Sequence, residues 1–337
     1  MAGQYGLPGM SGQYGLAGQR FPLSFVSPLD DVEPELVPGD VTLTVQCQCE
    51  QCSFKVALSV SREVVPEVLR CYCRACRKYH ASAFASYLRV SRQACDVGDD
   101  WTFGECARRS RGTCLALGTV ERIFCQRCFS KIATIPRHGP QQDDILVSLG
   151  CVQDASVPEF LAKWWQRHFT EVDPGAQAPW WGVVSSPADP DEGADCAIVA
   201  EGGCCCGSCV FSAAFDPGFF LQHCYCGLCR HLSGSACQTW VPCRKNDICW
   251  LQEASKVVNR FSSHAQRHLC ERCGGVLAIV YDAEPDHMWM AAGTLNDSDF
   301  VEDFAAHGCT VVHICCTMMQ SWYRLPLDGQ RRLRYAS

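Results

Sequence analysis

The sequence predicts a mainly β fold, built twice in tandem behind a disordered N-terminal tail, and three observations carry that prediction. Stretches near residue 50 alternate apolar and polar residues, the period of a half-buried strand. Seven cysteines recur in the same order in both halves of the 337-residue chain. The first 36 or so residues show no hydrophobic periodicity.

Residues 1–38 are read as the tail, because GQYGL occurs at 3–7 and again at 12–16 among Gly, Gln and Pro, a composition with too little apolar surface to fold. The first domain is placed at 39–184. It opens with VTLTVQCQC (41–49) and SFKVALSV (53–60), whose alternation through Phe54, Val56, Leu58 and Val60 makes them the arms of a hairpin turning near Cys49–Cys52. Cys47 and Cys49 then share one strand face and can reach one ion. Next comes CYCRACRKYHASA (71–83), with Cys71, Cys73 and Cys76 followed directly by Arg77. The basic run ARRSRG (107–112) reads as a solvated loop. FCQRC then places Cys125 and Cys128 on a tight C-x-x-C turn. ILVSLGCVQD (145–154) is a strand ending in glycine. A helix follows from SVPEF, where Ser156 and Glu159 have capping-box spacing and Pro158 sits near the first turn. It continues through LAKWWQRHF, with Trp164 and Trp165 as packing residues. SSPADPDEGAD (185–195) is the linker.

The second domain, 196–333, repeats this plan. Cys204 and Cys206 lie 157 positions after Cys47 and Cys49; Cys224, Cys226 and Cys229 lie 153 after Cys71, Cys73 and Cys76; Cys270 and Cys273 lie 145 after Cys125 and Cys128. An offset that drifts by a few residues between clusters marks a duplication. Arg230 follows Cys229 as Arg77 follows Cys76, and MWMAAGTLND (288–297) answers the earlier strand with its glycine.

Composition sets the chemistry. An apolar content of 47% suffices for two cores, and there is no apolar run of membrane-spanning length. No secretory signal is read at the N-terminus, so the expected compartment is the cytoplasm, with the nucleus as alternative. In a reducing compartment 28 cysteines point to metal rather than disulfides. The net charge of −7 would fall to about −13 with four zinc sites filled by fourteen thiolates, which excludes a general attraction to nucleic acid.

Pairing the outer clusters makes two closed tetrahedral sets, Cys47, Cys49, Cys125 and Cys128, and Cys204, Cys206, Cys270 and Cys273, which are structural in kind. The inner clusters supply three thiols each, so a zinc there keeps a fourth position that a substrate thiol can fill as thiolate. Alternatively a fourth protein ligand closes the site, with His80, His223 and His231 at hand. Arg77 and Arg230 either balance the anionic centre and hold a substrate carboxylate, or are solvated at the surface. Cys52 and Cys209 read as small buried apolar residues. Cys205, Cys315 and Cys316 carry no signal.

These motifs resemble the glutathione-dependent formaldehyde-activating enzyme family, also called the centromere protein V type. The second copy matches nearly throughout, in CCCG, CYCGLCRHLSGSA, CERCGG, AAGTLND, His313, Ile314 and Trp322. The first is looser: Glu50 replaces a glycine, Phe129 and Ser130 replace a glycine pair, and His168, Phe169 and Trp180 echo the terminal motif. The resemblance implies two domains of small, coiled antiparallel sheets bound by zinc, two ions per domain and about four per chain. It implies structural outer sites, catalytic inner sites, and a carbon–sulfur lyase that joins glutathione to formaldehyde. The competing expectation is a non-catalytic zinc scaffold that binds a protein partner.

Overall fold

The computed structural model describes residues 34–97, 106–138, 142–173, 198–216, 219–296, 310–326 and 331–333. Nearly all of the expected tail, the whole linker and Trp180 lie outside the described residues.

The first copy begins with a hairpin, β1 (Gly39–Gln46) and β2 (Ser53–Val60), in register from Gly39 opposite Val60 to Gln46 opposite Ser53. Its alternation does what the sequence predicts: Leu43, Val45, Phe54 and Val56 are buried and the intervening residues mostly face out. The strand stops one residue short of the cysteines. Cys47 and Cys49 therefore stand on the connecting turn, not on a strand face, with the Cys47 N–H donating to Cys52 O (2.9 Å) and the Glu50 N–H to Cys47 O (3.0 Å).

Beyond the hairpin come β3 (Glu67–Cys71), α1 (Arg74–His80), β4 (Ala85–Ser91), β5 (Ala107–Cys114), β6 (Gly118–Cys125), β7 (Lys131–Pro136), β8 (Asp144–Ser148), α2 (Glu159–Arg167) and β9 (Phe169–Val172). The strands form one sheet in the order β5-β6-β7-β8-β4-β3-β9, antiparallel except for the parallel pair β3 and β9. The run ARRSRG is strand β5, not a loop. Its arginines Arg108, Arg109 and Arg111 are exposed, and two of them find carboxylates, Arg109 on Glu121 (3.1 Å) and Arg108 on Glu271 of the second copy (2.9 Å). The capping box does not form either. The Ser156 hydroxyl donates to Gln153 O (2.6 Å) and accepts from the Thr44 N–H (3.0 Å), while Pro158 occupies the cap position of α2. Trp165 is fully buried and Trp164 stacks on His168, so both pack as predicted.

The second copy consists of β10 (Ile198–Gly203), β11 (Cys209–Phe215), β12 (Phe220–Cys224), α3 (Gly227–Ser233), β13 (Gln238–Arg244), β14 (Ile248–Glu253), β15 (Lys256–Ser262), β16 (Ala265–Cys270), β17 (Val276–Tyr281), β18 (His287–Ala291), β19 (Thr310–Ile314) and the short β20 (Arg331–Arg332). Its large sheet runs β15-β16-β17-β18-β13-β12-β19-β20; the first seven strands follow the path of the first copy, again with a parallel pair where β12 meets β19, and β20 adds a further parallel strand at the edge. β10, β11 and β14 make a smaller antiparallel sheet.

The copies interlock through the glycines that end β8 and β18. A Cβ on Gly150 would stand 2.4 Å from Arg230 O, and one on Gly293 2.4 Å from Ser82 N. Each glycine thus lets the backbone of one copy sit against the end of the other copy's inner helix, α3 or α1. Ser82 Oγ donates to Cys237 O (2.8 Å), and Ser86 Oγ and Ser235 Oγ lie 3.2 Å apart. His80 Nδ1–H donates to Ser233 O while Nε2 accepts from the Tyr87 hydroxyl (2.7 Å), and full burial holds the ring well below the ordinary imidazole range. One cluster of buried side chains, holding Val152 and Trp165 with Tyr323 and Cys237, runs through both copies.

Candidate metal centres

Among the described residues, four groups of donor atoms are close enough to hold a metal, and all are cysteine. Cys47, Cys49, Cys125 and Cys128 form the first outer group, and Cys204, Cys206, Cys270 and Cys273 the second, with the sulfurs of each within 4.8 Å of one another. Tetrahedral zinc with Zn–S bonds of about 2.3 Å requires sulfurs roughly 3.8 Å apart. Cys47 and Cys49 are separated by 3.6 Å, Cys49 and Cys125 by 3.6 Å, Cys204 and Cys206 by 3.5 Å, and Cys206 and Cys270 by 3.7 Å. The donor sets fit the ion. Backbone groups support them: the Cys52 N–H donates to Cys47 Sγ (3.2 Å) and the Cys209 N–H to Cys204 Sγ (3.3 Å). Cys52 and Cys209 are buried, as expected of small apolar residues, and also serve these turns through their N–H groups.

The turns need left-handed backbone. Glu50 and Phe129 hold φ of 63° and 61° in the first copy, where Gly207 and Gly274 hold 75° and 73° in the second. The same holds after the inner helices, with Ala81 at 52° and Gly234 at 68°.

The inner clusters differ. In the second copy Cys224, Cys226 and Cys229 are mutually close, as the spacing predicts. Cys226 caps α3, its Sγ accepting from the Cys229 N–H (3.5 Å). Hydrogen bonds from Cys224 and Cys229 hold the Cys226 thiol well below its ordinary range. In the first copy the mutually close set is Cys71, Cys76 and Cys114, with Cys73 Sγ 3.5 Å from Cys71 Sγ. Cys114 ends β5 and has no counterpart in the second copy, where residues 256–269 contain no cysteine. A search by recurrence passes over it for that reason. Cys315, equally silent in the sequence, hydrogen-bonds Cys224 and Cys226.

The arginines that follow the third inner cysteine point back into the fold. Arg77 Nε donates to Tyr72 O (2.8 Å) and Arg230 Nε to Tyr225 O (3.2 Å). Arg77 is buried, so the alternative of surface solvation is excluded for it. A second arginine pair, missed in the sequence, approaches the inner sulfurs. Arg122 Nη2 lies 4.0 Å from Cys76 Sγ and Arg267 Nη2 4.0 Å from Cys229 Sγ, both guanidinium groups being buried. They are 145 positions apart, the offset of the C-x-x-C pairs, so the repeat itself carried the signal.

Their surroundings diverge. Arg122 Nη2 donates to Thr113 O (2.6 Å) and Ala75 O (3.1 Å), and its guanidinium lies 4.4 Å from the centre of the Tyr79 ring. Arg267 Nε and Nη1 have no hydrogen-bond partner among the described residues, and neither has the side-chain amide of fully buried Gln238. Gln238 stands directly across from Cys224 in the β12–β13 register, where the first copy has Ala85 across from Cys71.

Residues 42–167 and 199–310 each match the family described as glutathione-dependent formaldehyde-activating enzyme, so the match is made twice and covers most of the chain. No curated protein matches. A crystal structure of a Rhodobacter sphaeroides protein is similar over 28% of this chain and 87% of its own, at 20% identity and a TM-score of 0.26.

Proposed function

Because the chain belongs to the glutathione-dependent formaldehyde-activating enzyme family, we propose that its second copy is a zinc-dependent carbon–sulfur lyase that adds a small thiol, glutathione first among them, to an aldehyde such as formaldehyde. The observation that carries this reading is the inner site of that copy: three mutually close thiols beside two buried polar side chains, Arg267 and Gln238, with unused hydrogen-bonding atoms. Buried polar atoms without partners are costly and rare, and a polar ligand removes that cost.

Cys224, Cys226 and Cys229 would hold the ion, which when bound would supply a field that favours the thiolate form of an incoming thiol. Arg267, beside Cys229, offsets the negative charge of the thiolates and has two further N–H groups to offer a carbonyl or carboxylate of the substrate. Arg230, anchored by Tyr225 O, leaves Nη1 unpartnered among the described residues and can serve the same end. The reaction is an addition without redox change. A sulfur–carbon bond forms, the carbonyl π bond opens, and the thiol proton ends on the new hydroxyl oxygen.

Cobalt in place of zinc tests this. Glutathione should shift the absorption of the cobalt protein, and Cys226→Ser should abolish both the shift and the formation of S-hydroxymethylglutathione. A spectrum indifferent to glutathione would remove the basis of the reading. One observation favours a second reading, a non-catalytic zinc scaffold: Cys315 stands beside Cys224 and Cys226 and could complete that site. Under this reading the intact chain ignores glutathione and Cys315→Ser makes it respond.

A further inference from the structure

We propose that the first inner cluster is a closed four-thiol metal site in which Cys114 is the fourth ligand, so that the first copy holds its inner ion for structure alone. Three of its sulfurs, on Cys71, Cys76 and Cys114, lie within 4.8 Å of one another, and the fourth, on Cys73, is 3.5 Å from Cys71. All four residues are buried, and Cys114 is only 1% exposed. Cys73 stands outside that mutually close trio and reaches it through Cys71, so closing the site brings its sulfur in toward the other two; four cysteine thiolates are then the donor set of structural zinc, which keeps no open position.

The strand that delivers Cys114 also anchors the neighbouring arginine. Thr113, the residue before it, accepts from Arg122 Nη2 through its carbonyl, so the end of β5 supplies a thiol to the cluster and a hydrogen bond to the guanidinium beside it; Nε of Arg122, like Nε of Arg267, has no partner among the described residues. The hairpin lengths explain the difference between the copies. β5 and β6 stay paired out to Cys114 opposite Gly118, whereas β15 and β16 end at Ser262 opposite Ala265. The longer hairpin carries its last residues to the inner cluster.

The test uses the full chain with Cys224, Cys226 and Cys229 changed to serine, so that the first inner cluster alone can answer. Its cobalt form should absorb as a four-thiolate site and stay unmoved by glutathione. Adding Cys114→Ser should weaken metal binding at the cluster by at least the roughly 10-fold seen even for lost supporting contacts, and the absorption should then respond to glutathione. Such a gain of response cannot arise from unfolding. Cys114→Ala, which leaves the same position vacant, must reproduce it. A parent spectrum that already responds, or a Cys114 variant with unchanged affinity, overturns the proposal. Failure of the lyase reading shows instead in the intact second copy, which this background lacks.

Discussion

Glu50, Ala81 and Phe129 hold left-handed backbone at positions where the second copy has Gly207, Gly234 and Gly274. A side chain there brings Cβ against the backbone at a cost of about 1 kcal/mol per residue, which glycine avoids. Glu50 is exposed, so its replacement isolates the backbone effect. Glu50→Gly should raise stability by about 0.5–1 kcal/mol, and Gly207→Ala should lower it by about as much or more. Equilibrium denaturation of the zinc-loaded protein measures both, and equal midpoints for parent and variants would refute the assignment. At this scale the outer cysteines were legible because C-x-C and C-x-x-C place both sulfurs of a pair on one local turn. Cys114 was not, since only a tertiary hairpin brings it to Cys71 and Cys76. Arg122 and Arg267 were legible in principle, as they repeat at the offset of the cysteines beside them.

Elements were read best where one face is buried. The β1–β2 hairpin shows its alternation in the sequence because Leu43, Val45, Phe54 and Val56 all enter the core. Strand β5 hid itself, since Arg109 and Arg108 are held by carboxylates contributed by β6 and by the second copy, partners that no local pattern reveals. Ser156 was misread for a like reason: Thr44, 112 residues away, claims its hydroxyl. The turns after β8 and β18 showed their glycines but not the role of those glycines in joining the copies. Gly293→Ala should cost about 1–3 kcal/mol, because even one methyl would lie 2.4 Å from backbone that cannot swing aside. Gly227→Ala, whose Cβ would meet only Arg230 Nη2 at 3.9 Å, is the control and should be near neutral. Urea unfolding followed by tryptophan fluorescence would compare them; equal losses would show that Gly293 has no special seat.

Across the whole molecule the duplication was plain in the cysteine order, yet the manner in which the copies join was not, because the joints are backbone carbonyls and buried polar groups. Lys131 shows what this implies. Its ammonium donates to Phe129 O in its own copy and to Gly274 O in the other, while Arg108 and Glu271 pair between copies at the surface. Exposed pairs of that kind contribute little. Lys131 is fully buried, and that burial pushes its pKa down to about 8 from the ordinary 10.5, with nearby thiols opposing the shift. A lysine with a depressed folded-state pKa binds fewer protons folded than unfolded between those two values. Stability should therefore rise with pH from about 8 to about 10.5, by a total on the order of 3 kcal/mol from this group, and the penalty should be full below pH 8. Cysteine ionisation adds its own slope in the same range, so the informative quantity is the difference between the parent and Lys131→Met. Relative to the parent, the methionine variant should lose ground progressively as the pH climbs from 8 to 10.5, since it cannot share the relief of losing the proton. Denaturation midpoints across that range provide the measurement, and a constant difference between the two proteins would mean that the joint between the copies carries no titrating lysine.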